Sequence, residues 1–321
     1  LFICVTYVFA KNIFKNQNRF LPLIPTAFVA FSYPIMNISL RAHSYSASIF
    51  AVTLFFYLIY INSTYQKKIF TVSDDKINLK SCLFIGLILS LLAHLSYVIL
   101  FLSPLFFSIL FFQKLIKKNF FCNYNYNLII VGISFTIFTS PLLAHLLFLN
   151  LNEYGVTTST AGEYYEYYLN LNSDDINLIN FLKFYIQNSY LVIVKNLSFF
   201  IDANFYSNYL QILILIFFIS GLALSNKFKT QDRNIRCFLN IFIIFVIYYF
   251  ILVSLGHVTL GPTRHLNSFT PLLAIVVSMG IYFLLKKFKF INFNLQLIYS
   301  LIIIIFCLNL PPFYKYYKDA F

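Results

Sequence analysis

The sequence predicts an all-α, polytopic membrane protein with about ten transmembrane or partial helices. Hydrophobic residues make up 60% of the 321 residues and charged residues only 10%, whereas a soluble domain carries about 25% charged residues. Long apolar runs alternate with short basic clusters, which is typical of several membrane spans. The runs cover roughly 1–10, 20–39, 44–62, 81–113, 128–150, 208–225, 237–255, 268–285 and 295–311.

The first run, "LFICVTYVFA", lacks an initial Met and a basic flank. Its ten residues are too few to cross a bilayer, because a span needs about 20. We therefore expect the chain to be an N-terminally truncated fragment that begins inside a helix, rather than one that opens with a signal peptide.

Most of the 23 Lys and Arg residues lie in five short loops between the apolar runs. Basic residues concentrate in the cytoplasmic loops of membrane proteins, so the pattern predicts that these five loops are cytoplasmic. It also explains the net charge of +13 without nucleic-acid binding. The loops are 11–19, 63–80, 113–127, 226–236 and 286–294.

The run 81–113 is too long for an ordinary span. If it crossed once, the later basic loops would change sides, against the positive-inside pattern. We therefore predict a short helical hairpin that turns near His94 to Ser96. Its apex should be buried in protein or face a cavity, because polar backbone at membrane depth is tolerated only there.

Three regions follow from this topology. Residues 1–150 form N-terminal membrane helices with the hairpin, 151–207 form the long extracytoplasmic loop, and 208–321 form C-terminal membrane helices. Within the loop, apolar residues recur at helical spacing and predict an amphipathic helix at the membrane surface or over a cavity. These residues are Ile176, Ile179, Leu182, Ile186, Tyr190 and Ile193.

Polar residues beside apolar runs converge on the predicted outer face in three clusters. The first is "YPIMNISLRAHSYSASIF" (33–50), the second is "LLAHLSYVILFLSP", and the third is "GHVTLGPTRHLNSFTPLL" (256–273). Ionisable residues at membrane depth are candidates for function, although interfacial anchoring is an alternative for each one. The candidate binding residues are Arg41, His43, Tyr45, His94, Arg264 and His265.

The third cluster favours an anionic ligand. Arg264 and His265 precede a helix that is predicted to start near Phe269, and a helix N-terminus offers free N–H groups and a positive dipole end. Arginine adds a forked set of donors that suits phosphate oxygens.

The three clusters, in this order, resemble motifs of the GT-C superfamily of membrane glycosyltransferases. The resemblance is to the family 39 type, which includes protein mannosyltransferases and aminoarabinose transferases. Such members carry "P…S…AR.Y" before a helix, then a hairpin with a polar apex, and "R[YH]…P" near the end. Here "RAHSY" stands where "AR.Y" is usual, so the spacing of Arg41 and His43 is shifted.

The resemblance implies an inverting glycosyltransferase in a bacterial inner membrane, with its active face extracytoplasmic. Its donor would be a polyprenyl-phosphate sugar, and its acceptor a lipid, glycan or protein. Arg264 would hold the donor phosphate, and Arg41, His43, Tyr45 and His94 would line the cavity. The catalytic acid of such enzymes lies in the first external loop, which would be upstream of Leu1, so this fragment would be inactive alone. No metal ligands are assigned, and a divalent cation remains an open possibility as cofactor.

Two other classes of protein stay open. A lipid or solute transporter or flippase would favour inverted repeats with matched broken helices, and the sequence shows one broken hairpin without a counterpart. An O-antigen polymerase or ligase would carry a large external loop rich in Arg and His, whereas 151–207 contains neither.

Overall fold

The computed structural model describes most of the membrane helices and the amphipathic helix. The described residues are 1–31, 43–64, 77–115, 123–152, 178–197, 207–228, 232–255, 258, 260, 266–287, 296–297, 299–304 and 307.

The prediction of an all-α protein is confirmed over these ranges, which contain helices and no strand. Four helices are long and apolar enough to cross a membrane, and four shorter helices are also apolar. The helices are α1 Phe2–Ile13, α2 Leu23–Ala30, α3 His43–Ser63, α4 Leu79–Leu95, α5 Val98–Leu115, α6 Asn123–Asn152, α7 Leu178–Leu197, α8 Ser207–Phe228, α9 Arg233–Ser254 and α10 Thr270–Lys287. A 3₁₀ turn, Leu266–Phe269, leads into α10. The four candidate spans lie in α3, α6, α9 and the turn with α10.

Helix α10 occupies the centre of the molecule. Every residue from Thr270 to Phe283 is buried, because the helix is apolar on all sides and protein surrounds it. Its most extensive contact is with α8, where Gly280 and Gly221 lie backbone to backbone: a Cβ on either would overlap a carbonyl oxygen of the facing helix. Small residues permit this close approach in membrane helices, where packing and not water exclusion drives association.

Helix α6 lies at the periphery instead. Only 28% of its span is buried, and Ile129, Ile133 and Ile137, which recur every fourth residue, are 58%, 55% and 62% exposed. An exposed apolar stripe of this kind on a long membrane helix fits a lipid-facing surface. The opposite side of α6 packs on α4.

The predicted break in the run 81–113 is confirmed. Helix α4 ends at Leu95, Ser96 adopts an extended conformation, and α5 begins at Val98. Both arms are shorter than the candidate spans. Ser96 at the apex is buried, and Tyr97 is exposed.

Two prolines inside membrane helices are each compensated by the same kind of hydrogen bond. Pro104 in α5 and Pro141 in α6 cannot donate to the carbonyl four residues earlier. In each case the preceding serine donates to that carbonyl: Ser103 to Leu100 at 2.8 Å, and Ser140 to Ile137 at 2.7 Å. The hydroxyl therefore satisfies the oxygen that the proline leaves free, as membrane helices require.

The ends of the helices that flank the five basic loops lie together at one end of the molecule, which we call the basic-loop end. The C-terminal parts of α1 and α3 meet there, because Asn12 donates to the Tyr57 hydroxyl at 3.2 Å and the Tyr60 hydroxyl donates to the Asn12 carbonyl at 3.1 Å. The starts of α4 and α6 meet through the Asn78 N–H and Asn127 Oδ1 at 3.0 Å.

Gln17 joins the remaining two basic loops to this end. Its side-chain nitrogen donates to Asp232 at 2.8 Å, and its side-chain oxygen accepts from the Tyr282 hydroxyl at 2.9 Å. Asp232 is buried and also caps α9 by accepting from the Asn234 N–H at 2.9 Å. The described helix ends beside the five basic loops thus lie at one end, in agreement with the positive-inside pattern.

Cysteine labelling tests the sidedness of this arrangement. In intact cells we expect Thr230→Cys, in the basic loop 226–236, to resist a membrane-impermeant maleimide, and Thr160→Cys, in the long loop 151–207, to react. The exposed native thiols Cys4 and Cys307 are replaced by serine to lower the background. The reverse labelling pattern would overturn the topology.

Candidate functional site

Three serine hydroxyls meet at the end of the molecule opposite the basic loops. Ser48 Oγ lies 2.7 Å from Ser96 Oγ and 2.9 Å from Ser268 Oγ. Ser48 is near the start of α3, Ser96 is the hairpin apex, and Ser268 belongs to the 3₁₀ turn before α10. We call these three residues the serine cluster, and this end of the molecule the serine end.

The serine cluster draws one residue from each of the three polar clusters of the sequence. Ser48 follows His43 and Tyr45, Ser96 follows His94, and Ser268 follows His265. The described parts of the three segments therefore meet in the structure. The binding role of each predicted residue is still a prediction.

Several predicted binding residues lie outside the part of the chain that can be described. These are Arg41, Arg264 and His265. The backbone of His43 and Tyr45 forms the first turn of α3, but their side chains also lie outside it. Each of these residues is within a few positions of a member of the serine cluster in the sequence.

His94 does not point toward the serine cluster. Its ring is exposed, and its Nδ1 lies 2.9 Å from the Ser90 carbonyl oxygen in the preceding turn. A carbonyl only accepts, so Nδ1 is the donor in this contact. This geometry fits interfacial anchoring, the alternative considered for each histidine, while Ser96 supplies the inward contact.

The start of α10 contributes further polar groups to the serine end. Ser268 is 1% exposed and Thr270 is 0% exposed. Thr270 Oγ1 has no hydrogen-bond partner within the described residues. The first N–H groups of a helix generally lack partners inside the helix, and this helix start follows Arg264 and His265 closely in the sequence.

An apolar cavity of about 160 Å³ lies beside the serine cluster, among α7, α8, α9 and α10. Phe269, the neighbour of Ser268, lines it together with Leu266, and the Phe269 and Phe245 rings lie 4.8 Å apart. A dry cavity of about 150 Å³ can hold a benzene-sized ligand. Its aromatic wall consists of Phe218, Phe242, Phe245, Tyr249, Phe250 and Phe269.

Helix α7 forms one wall of this aromatic cavity through Ser189 and Val192. Tyr185 holds it there: the Tyr185 hydroxyl donates to the Phe250 carbonyl at 3.0 Å and lies 2.6 Å from Ser254 Oγ. The Tyr185 and Phe250 rings also contact each other at 5.1 Å. The helix predicted within 151–207 is therefore confirmed, and it packs against the end of α9.

A second cavity, of about 390 Å³, lies between α5 and α6. Its lining includes Phe111, Asn125 and Tyr126, which places it near the basic-loop end. Among the described residues no group of three or more His, Cys, Asp or Glu side chains is close enough to hold a metal ion. The acidic residues Glu153, Glu163, Glu166, Asp174, Asp175 and Asp202 lie outside that part of the chain.

The serine cluster was not singled out from sequence. Its residues stand inside the three polar clusters, but serine is common in loops and near helix ends. The feature of the sequence that could have identified these serines is their position next to the ends of apolar runs. An unpaired hydroxyl there would be costly, so each needs a partner, either in its own helix or on another segment.

A double-mutant cycle tests whether the serine cluster couples α3 to the hairpin. We expect Ser48→Ala and Ser96→Ala to be non-additive, with a coupling of about 0.6 kcal/mol, typical of interhelical hydrogen bonds in membrane proteins. The measurement is unfolding in detergent. Ser300→Ala is the control, since that exposed hydroxyl donates to the carbonyl of Gln296, four residues earlier, at 3.0 Å. Strict additivity would mean that the two hydroxyls do not interact.

The long apolar helices and the one-sided basic loops indicate an all-helical integral membrane protein. Comparison with family models, curated proteins and solved structures found no match to the chain.

Proposed function

We propose that this protein is a membrane glycosyltransferase that takes a sugar from a polyprenyl-phosphate donor. The observation that supports this most is the meeting of the three polar segments at Ser48, Ser96 and Ser268, directly beside an aromatic cavity. A polyprenyl-phosphate sugar has a polar head and a long apolar tail. A polar cluster that adjoins an apolar cavity offers one surface for each part.

The head of the donor would bind at the start of α10. There the unpaired helix N–H groups, the Thr270 hydroxyl and the guanidinium of Arg264 would all favour phosphate oxygens. The resemblance of this stretch to GT-C enzymes also implies that Arg264 binds the donor phosphate. The guanidinium of Arg264 would supply positive charge, and the N–H groups at the start of α10 would supply hydrogen-bond donors.

A short segment of the tail would enter the aromatic cavity. Its lining is almost entirely apolar, and Phe269 stands next to Ser268, so head and tail sites are contiguous. The tail leaves lipid and not water, so its gain comes from packing against the aromatic wall. The tail thus adds shape complementarity, while the phosphate head supplies charge and orientation.

The transfer would follow the chemistry of the family that the chain resembles. An acceptor hydroxyl attacks the anomeric carbon and a carboxylate takes its proton. The bond from that carbon to the phosphate oxygen breaks with inversion, and polyprenyl phosphate leaves. The carboxylate belongs to an external loop, and we assign none among the described residues.

In this proposal the serine end is extracytoplasmic and the basic-loop end is cytoplasmic, as the positive-inside pattern favours. The four long helices and the four shorter apolar helices among the described residues would belong to a set of about ten spanning or partial segments in a bacterial inner membrane. The acceptor is a lipid, glycan or protein at the outer face.

A photoreactive polyprenyl phosphate tests the assignment of the cavity. With the purified protein in nanodiscs, we expect crosslinks at Phe218, Tyr249 or Phe269, and competition by unlabelled polyprenyl phosphate. The α5–α6 cavity at Phe111 and Tyr126 is an internal control, because it lies far from the serine cluster. Labelling mainly at the α5–α6 cavity, or labelling that free polyprenol displaces equally well, would contradict the proposal.

A further inference from the structure

Helix α7 carries an apolar stripe that no other described part of the protein covers. Ile179 is 74% exposed, Ile186 is 70% exposed, and Leu182 and Tyr190 are also exposed. These residues are spaced three or four positions apart, so they share one side of the helix. Their helical spacing predicts one apolar face, and the structure shows that this face is not the one packed on the protein.

Other described side chains of α7 fall on two other sides. Tyr185, Asn188 and Val192 form the side that packs on the rest of the molecule. Lys183 and Gln187 are exposed on a polar side. At 100° per residue, the apolar stripe lies between the packed side and the polar side.

The level of α7 along the molecule follows from its contacts. Tyr185 binds Phe250 and Ser254, and Ser254 is the last residue of the α9 span. Helix α7 also contacts the 3₁₀ turn Leu266–Phe269, where the α10 span begins. The part of α7 around Tyr185 therefore lies beside the ends of two membrane spans, at the level where lipid headgroups are expected.

We propose that the stripe of α7 is a lipid-binding surface that rests in the headgroup boundary of the bilayer at the serine end. An interfacial helix needs an apolar side toward the acyl chains and a polar side toward water. Here the third side binds the protein, so the stripe meets lipid laterally. Lys183 borders the stripe, and its long stem can carry the ammonium group to phosphate-bearing headgroups.

The same helix then contacts both the bilayer, through the stripe, and the aromatic cavity, through Ser189 and Val192. A second copy of the chain is the other conceivable occupant of the stripe. The lipid surface is favoured because the stripe is level with the ends of the two spans and because a polar side lies beyond it. This inference does not depend on the proposed glycosyltransferase activity.

The absence of tryptophan from the chain permits a direct test. Ile186→Trp introduces one fluorophore on the stripe, and Gln187→Trp introduces one on the polar side. The full chain is reconstituted in vesicles of phosphatidylcholine and phosphatidylglycerol, with or without brominated acyl chains. We expect the reporter at position 186 to emit at shorter wavelength and to lose most of its intensity to brominated lipid, while the reporter at position 187 keeps its intensity.

Ile179→Trp is an independent second reporter on the stripe, should the first variant not fold. Equal and weak quenching of the stripe and polar reporters would overturn the inference. A blue-shifted stripe reporter that brominated lipid does not quench, in a protein that crosslinks as a dimer through α7, would assign the stripe to a second copy and would also overturn it.

Discussion

Replacing Gly280 with alanine is expected to destabilise the protein by about 3 kcal/mol, at the upper end of the usual cost of overpacking. The new Cβ would overlap the Phe217 carbonyl oxygen and approach the Gly221 N–H of α8. Backbone atoms cannot rotate away as a side chain can, so α8 and α10 would have to separate. Unfolding in detergent, followed by circular dichroism, measures the change.

Gly132→Ala is the matched control. Its Cβ would lie 3.6 Å from the Phe107 ring, an ordinary contact, and Gly132 is also inside a helix. Alanine is favoured over glycine in a helix by up to about 1 kcal/mol. We therefore expect the control to be neutral or stabilising. If the two variants lost equal stability, the close approach of α8 and α10 would be wrong.

Replacing Arg264 with alanine is expected to weaken binding of a polyprenyl-phosphate sugar by about 10- to 100-fold. The estimate rests on hydrogen bonds to charged groups, which contribute about 1.5–3 kcal/mol. Arg264→Lys should recover only part of the loss, because an ammonium is a point charge without the planar fork of a guanidinium. Equilibrium binding to the full-length protein in nanodiscs, with a labelled donor, measures the effect.

Lys183→Ala is the control for general loss of positive charge, since Lys183 is exposed on α7 at the same end of the molecule. Its removal should leave donor affinity unchanged within a factor of about two, as expected for screened surface charges. Wild-type affinity in Arg264→Ala, or an equal loss in both variants, would remove Arg264 from the donor site.

Much of the architecture could be predicted from the distribution of apolar and basic residues. The break at Ser96 followed from counting basic loops, because a single span there would have placed later clusters on the wrong side. The structure confirms the break. Asn12 and Gln17 donate hydrogen bonds, and Asn127 accepts one, between helix ends beside those loops.

Other features depend on contacts that sequence alone does not reveal. The helical spacing of Ile179, Leu182 and Ile186 predicted α7, but not which side of it packs, since Tyr185 and Val192 form an equally apolar side. In the same way, Ser48, Ser96 and Ser268 are ordinary serines until the fold brings them together. The histidines of the sequence stand in the segments that supply these serines, yet the His94 ring itself is exposed.

Donor turnover tests the central claim most directly. Full-length protein is reconstituted in vesicles with a polyprenyl-phosphate sugar, radiolabelled in both parts, and an extract of cell-envelope acceptors. The account predicts release of polyprenyl phosphate with transfer of the label from the sugar to an acceptor, and loss of both in Arg264→Ala. Movement of intact donor across the bilayer without cleavage would contradict it and would identify a transporter instead.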